Sequence, residues 1–230
     1  MTYMRPAAPG RQTSLMQDAV RLLLLLNTAA EPPSIPPPPE APANVVGVVH
    51  TQVLLQKLDF WVRNPDYLAD ELLTRYENDG DKADLTLARQ ILDSDEPEVR
   101  SYPMLRYLFG AYEPLDEPLA VLAIPGLVFA RRRESDTRIL QWDYYVTEAG
   151  RDAAERSITT VPELKYYVDR TRLVVDLAAG RRGTALKDIQ YLQAEYADAA
   201  LGRYIASIAS RTRRRLQEII DRETEGAGQP

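Results

Sequence analysis

The sequence predicts a mainly helical protein with one β-hairpin and an antiparallel helical segment at its C-terminal end. Three observations carry that prediction. Apolar residues recur every three or four positions along most of the chain, the mark of amphipathic helices. Between Leu127 and Thr147 the period changes to two, as a pair of half-buried strands requires. Helix caps and breakers such as Asn64-Pro65, Asn78-Asp79-Gly80-Asp81, Pro125-Gly126 and Gly180-Arg181-Arg182-Gly183 divide the helical stretches into short pieces.

Taken in order, Ser14 caps a first helix that contains the run Leu22 to Leu26. Followed by Thr28-Ala29-Ala30, this stretch superficially resembles a signal peptide. Asp18 and Arg21 interrupt it, leaving an apolar run too short for export. The expectation is a buried amphipathic helix in a cytoplasmic protein with no membrane span. Seven of the 17 prolines then fall between Pro32 and Pro42, which favours an extended polyproline II connector. An SH3-like or WW-like groove is the alternative use of such a run.

Helical spacing resumes from about Thr51 to Asn64, through Val53, Leu54, Leu58, Trp61 and Val62. Asn64-Pro65 starts another helix to about Tyr76, Leu85 to Leu92 reads as a third, Tyr102 to about Ala111 as a fourth, and Glu117 to Ile124 as a fifth. Leu127 to Arg133 reads as a strand, Glu134-Ser135-Asp136 as its turn, and Arg138 to Thr147 as the returning strand. Thr147 caps a helix from Glu148 to about Ser157. Pro162 opens one to about Ala179, and Thr184 a long one to about Glu223, with either a kink near Gly202 or packing outside its own subunit expected from its length. The expected organisation is an N-terminal helix at 1–31, a connector at 32–44, a hairpin-bearing domain at 45–159, a helical hairpin at 160–223 and a mobile tail at 224–230.

The chemistry is narrow. The 230 residues include no Cys and a single His, His50, which removes disulfides, thiolate nucleophiles and most zinc sites. No Gly-x-Ser-x-Gly elbow accompanies His50 and Asp59, no Gly-x-x-x-x-Gly-Lys loop is present, and Asp79-Gly80-Asp81 lacks the ligand spacing of a calcium loop. No catalytic residue, cofactor or metal is expected.

Gly126-Leu127-Val128, a hairpin with a basic tip, and then Tyr145-Val146-Thr147-Glu148-Ala149-Gly150 together resemble the wing of winged helix-turn-helix proteins, particularly PadR-like and MarR-like regulators. The resemblance implies that the helix before the hairpin, Glu117 to Ile124, would enter the DNA major groove. That helix has no basic, amide or hydroxyl side chain, so it reads as core and not as a reader of bases. Residues 63–119 carry six basic positions against fourteen acidic ones, a net of −8 in a chain of net −6, a balance that repels phosphates. The order of Arg21 to Leu26, Leu55 to Phe60 and the hairpin is also similar to middle components of ABC-type three-component bacterial defence systems, which are non-catalytic subunits encoded beside an ATPase.

Candidate sites follow. Arg131, Arg132, Arg133 and Arg138 on the wing, with Arg211, Arg213, Arg214 and Arg215, are the groups suited to weak or non-specific contact with DNA phosphates. The stripe Leu186, Ile189, Leu192, Tyr196, Tyr204, Ile208, Leu216 and Ile219 is the candidate interface, for self-association or for another subunit. The expected function is a non-catalytic winged-helix adaptor or assembly subunit of a multi-protein complex. The alternative is a dimeric DNA-binding transcriptional regulator with a ligand-sensing or dimerising C-terminal domain.

Overall fold

The computed structural model describes residues 14–96, 105–107, 110–112, 115–135, 138–178 and 205–227. Helices dominate: α1 (Leu15–Ala29), α2 (Gln52–Arg63), α3 (Pro65–Asp79), α4 (Lys82–Asp93), α5 (Asp116–Ala123), α6 (Glu148–Thr160), α7 (Lys165–Ala178) and α8 (Ala209–Ala227). Strands β1 (Val45–His50), β4 (Val128–Ser135) and β5 (Arg138–Thr147) form an antiparallel sheet in the order β1-β5-β4, and β2 (Leu105–Tyr107) pairs with β3 (Gly110–Tyr112).

Helix α1 is the centre of the molecule. A capping box at Ser14 and Gln17 starts it, and it packs against α5, α6, α7 and β1. Leu22, Leu24, Leu25 and Leu26 are completely buried, each stabilising the fold by about 1.5–3 kcal/mol relative to exposure. A run that is apolar on all sides is buried on all sides. Arg21 sits inside this core at 3% exposure. Its Nε donates to Asp59 Oδ1 at 2.8 Å, and it also pairs with Asp18, one turn earlier on α1. Burial alone would lower the Arg21 guanidinium, but the two carboxylates more than offset this and hold it above its ordinary value.

The corner between β1 and α2 is strained. Thr51 holds a positive φ of 69°, rare for a β-branched residue. Its N–H donates to the Trp142 carbonyl at 2.9 Å and its hydroxyl accepts from Leu54 N at 3.1 Å. At the other end of the hairpin, Thr147 caps α6. Its hydroxyl accepts from Gly150 N at 3.1 Å and donates to the Gly126 carbonyl at 2.7 Å. Gly126, at φ 74°, closes α5 in the left-handed conformation.

Strands β4 and β5 and helices α2 to α7 agree closely with the sequence reading, and other expectations are corrected. Glu134 and Ser135, expected in the hairpin turn, are the last residues of β4, paired with Ile139 and Arg138, and Asp136 lies outside the described residues. The helix expected from Tyr102 to Ala111 is replaced, among the described residues, by the β2-β3 pair. So short a segment containing Gly110 has little to sustain a helix. Val45–His50, assigned no element by its sequence, is a sheet strand because residues 143–147 pair with it from nearly a hundred positions away. The Pro-rich segment is not a straight rod. It bends at 35–36, turns at 39–41 and again at 43–44, and bonds back to β1 through Glu31 and Val48. The long helix expected from Thr184 is interrupted at 205–208, just beyond the kink expected at Gly202, and the tail expected to be mobile from Thr224 continues as helix to Ala227. Helix α5 is not core throughout: Pro118 and Leu122 are buried, whereas Glu117 and Ala120 are exposed and Ile124 is 87% exposed.

Helix α8 lies on α3 and α4, and buried polar groups hold its start in place. Asp66 Oδ2 accepts from Ser207 Oγ at 2.7 Å and Ile208 N at 2.8 Å, while Tyr67 Oη donates to the Ala206 carbonyl at 2.9 Å. These bonds satisfy backbone groups at the N-terminal end of α8 that the helix itself cannot. Burial raises the Asp66 carboxyl above its ordinary value even though these hydrogen bonds oppose the shift.

Candidate functional site on the outer sheet face and helix α5

The two faces of the sheet separate by strand alternation. Tyr144, Val146, Val49 and Val128 belong to the helical core. The opposite face carries Tyr145, Asp143 and Gln141 on β5, and their register partners Phe129, Arg131 and Arg133 on β4 and Val48 and His50 on β1. The Pro-rich strap folds across this outer face.

The three wing arginines therefore do not converge. Consecutive strand residues point to opposite faces, so Arg131 and Arg133 share the outer face while Arg132 lies over the Trp142 ring, 5.9 Å from its centroid. Arg131 stands 5.1 Å from the Phe129 ring centroid, and Arg133 Nη2 donates to Asp143 Oδ2 at 2.8 Å. Such cation–aromatic contacts fix a guanidinium without neutralising it. All three are exposed. Arg138 pairs with Ser135 at the hairpin end, and its side chain lies outside the described residues.

Asp143 organises the outer face. It is 1% exposed, receives Gln141 Nε2 at 2.7 Å, and lies 2.9 Å from His50 Nδ1. A buried carboxylate persists when several donors satisfy it. His50 is thus paired with Asp143 and not with Asp59, which Arg21 occupies. Sequence reasoning missed Asp143 and Tyr145, because a strand period shows which residues share a face but not which strand arrives beside them. Beside this cluster a cavity of about 460 Å³ opens between sheet and strap.

The second element of the site is α5. Glu117, Ala120 and Ile124 are exposed at spacings of three and four, so they form one face, acidic at one end and apolar at the other. No cation stands on it.

The C-terminal candidates divide. Ile208, Leu216 and Ile219 are buried at 2–5% exposure where α8 meets α3 and α4, so this part of the stripe is covered by the chain's own helices. Leu186, Ile189, Leu192, Tyr196 and Tyr204 lie outside the described residues. Of the second basic cluster, Arg215 bonds to Asp70 at 2.9 Å and Glu77 at 2.5 Å, and Arg213 donates to the Leu92 carbonyl at 3.0 Å. Arg211 is partly buried and Arg214 is exposed.

Among the described residues no group of three or more metal-ligating side chains comes together, and no helix is long and apolar enough to cross a membrane. No known protein family matches this chain, and no curated protein or solved structure is similar enough to carry an argument.

Proposed function

We propose that this chain is a non-catalytic winged-helix adaptor or assembly subunit of a multi-protein bacterial complex, acting through protein contacts. The topology supports the module. Helix α1, strand β1, helix α2, an inserted segment of α3, α4 and the β2-β3 pair, helix α5 and then a hairpin whose second strand lies between β1 and β4 are compatible with the order of a winged helix. The observation that carries the adaptor reading is the exposed face of α5. Where a DNA-binding winged helix places base-reading donors, this one presents Glu117, Ala120 and Ile124, suited to an apolar partner and repellent to phosphate.

The experiment is a pair of variants. Ile124→Glu, at an exposed position, is expected to keep its fold and to lose co-purification with the product of an adjacent gene. Duplex DNA at physiological salt is expected to bind neither form. DNA binding abolished by Arg131, Arg132 and Arg133→Glu would overturn the adaptor reading.

One observation favours the regulator as a second reading. The acidity of residues 63–119 is partly consumed inside the protein. Asp70 and Glu77 meet Arg215, and Glu96 meets Arg170, both cations from outside this stretch. The repulsion expected from a net −8 is correspondingly reduced, and exposed wing arginines remain available to phosphates.

A further inference from the structure

We propose that the free edge of β4, from Val128 to Arg133, docks an extended acidic segment of a partner protein as an added strand of the sheet. Strand β4 ends the order β1-β5-β4, and among the described residues β5 and α5 are the elements packed closely against it.

Two hydrogen bonds decide which backbone groups this edge presents. Thr147 N donates to the Leu127 carbonyl on the β4 side of β5, and Thr51 N donates to the Trp142 carbonyl on its β1 side. Antiparallel partners alternate between bonded and non-bonded pairs. Phe129, Arg131 and Arg133 therefore bond to their register partners Tyr145, Asp143 and Gln141, while Val128, Ala130 and Arg132 turn their N–H and C=O groups outwards. The open row ends at the register shift between Arg133 and Glu134, where the ladder is broken.

The charges beside this row select its occupant. Arg131 Nη1 donates to the Ala130 carbonyl at 3.2 Å, so the side chain caps an edge acceptor that an arriving strand would use. Its guanidinium lies over the Phe129 ring and meets no carboxylate among the described residues. Arg132, also exposed, sits over Trp142 on the opposite face. A strand laid along β4 meets a cation on each face, so two consecutive acidic residues match both, with apolar residues following opposite Ala130 and Phe129. A second copy of β4 would set arginines against arginines, and like charges on an edge oppose such pairing. Main-chain bonds supply the affinity and the two arginines the selectivity.

The probe is the peptide acetyl-Thr-Glu-Glu-Val-Val-Thr-amide, whose antiparallel register sets its glutamates against Arg132 and Arg131 and its valines against Ala130 and Phe129. It is titrated into the full chain while the amide resonances of β4 are followed. Saturable shifts and slowed hydrogen exchange are expected at Ala130 and Arg132, whose amides exchange faster than those of Phe129 and Arg131 in the free chain. Affinity should fall about ten-fold or more when both glutamates are replaced by lysine, and equally in Arg131→Gln. The same loss is expected when the first glutamate and first valine, which face β4, are N-methylated. Methylating the second glutamate and second valine should leave binding unchanged, which separates strand pairing from charge attraction alone. Arg131 is exposed, so Arg131→Gln should melt with the parent. Ile124→Glu should bind the peptide as the parent does, so this assignment and that of the α5 face can fail independently. Absence of saturation, equal binding of the lysine peptide or of the peptide methylated on its facing residues, or unchanged affinity in Arg131→Gln would each overturn the proposal. So would concentration-dependent shifts at Ala130 and Arg132 without peptide, which would give the edge to a second copy. Tighter binding of duplex DNA at the same amides in physiological salt would overturn it too, by giving the arginines to phosphate.

Discussion

A methyl group on residue 150 would sit 2.2 Å from the Leu127 carbonyl oxygen, far inside van der Waals contact. The clash is with backbone, which cannot swing aside. Gly150→Ala is therefore expected to destabilise the protein by about 1–3 kcal/mol, read as a lowered urea midpoint with an unchanged slope. Gly150 and Thr147 together explain the Thr-Glu-x-Gly signature physically: the threonine joins the exit of α5 to the start of α6, and the glycine lets the two approach. Arg21 makes a second case. Replacing it with Met leaves Asp59 buried without its closest cation, and is expected to cost about 3–5 kcal/mol. Adding Asp59→Leu should recover only part of that loss, because Arg63, 3.6 Å from the other carboxylate oxygen, then loses its own counter-charge. Urea denaturation of the single and double variants measures both effects.

At the scale of elements, α8 is joined to α3 by charge as well as by Ile208, Leu216 and Ile219. Glu77 accepts from Arg215 and Arg222 at 2.5 and 2.8 Å. Burial tends to raise the Glu77 carboxyl, but the two guanidinium groups outweigh it and hold the group below its ordinary value. A depressed carboxylate contributes stability that is present above the unfolded value, here about 4.5, and is lost as pH falls through the folded one. Glu77→Gln should thus flatten the acid side of the stability profile below about pH 5. Asp66 works in the opposite sense. Its raised value means that stability falls as pH rises from the unfolded value through the folded one, so Asp66→Asn should remove part of that fall while keeping an acceptor for Ser207 and Ile208. Thermal melts across the acid range distinguish the two slopes.

Over the whole molecule, charges far apart in sequence come together, and that changes what net charge implies. The excess of acid in residues 63–119 faces basic groups on α7 and α8, so regional charge is a poor guide to the surface presented to a partner. The wing arginines, adjacent in sequence, are split between two faces. A triple Arg131, Arg132 and Arg133→Glu variant is expected to place a new acid at Arg133 beside Asp143, and so to lose thermal stability as well as any phosphate contact. Arg131→Glu alone should be nearly neutral in a melt. What the chain reveals without its fold are the helices with caps at Ser14 and Thr147, the hairpin at 128–147 and the absence of cysteine chemistry, since caps, strand period and composition are local properties. Packing alone decides that α1 is the centre of the core, that Val45–His50 is a strand and that the Pro-rich segment lies over the sheet. It also decides that His50 meets Asp143, and that the stripe at Ile208, Leu216 and Ile219 covers α3 and α4. Each of these depends on a partner dozens of residues away, and a pattern of period two or 3.6 specifies a face to be covered, not the residues that cover it.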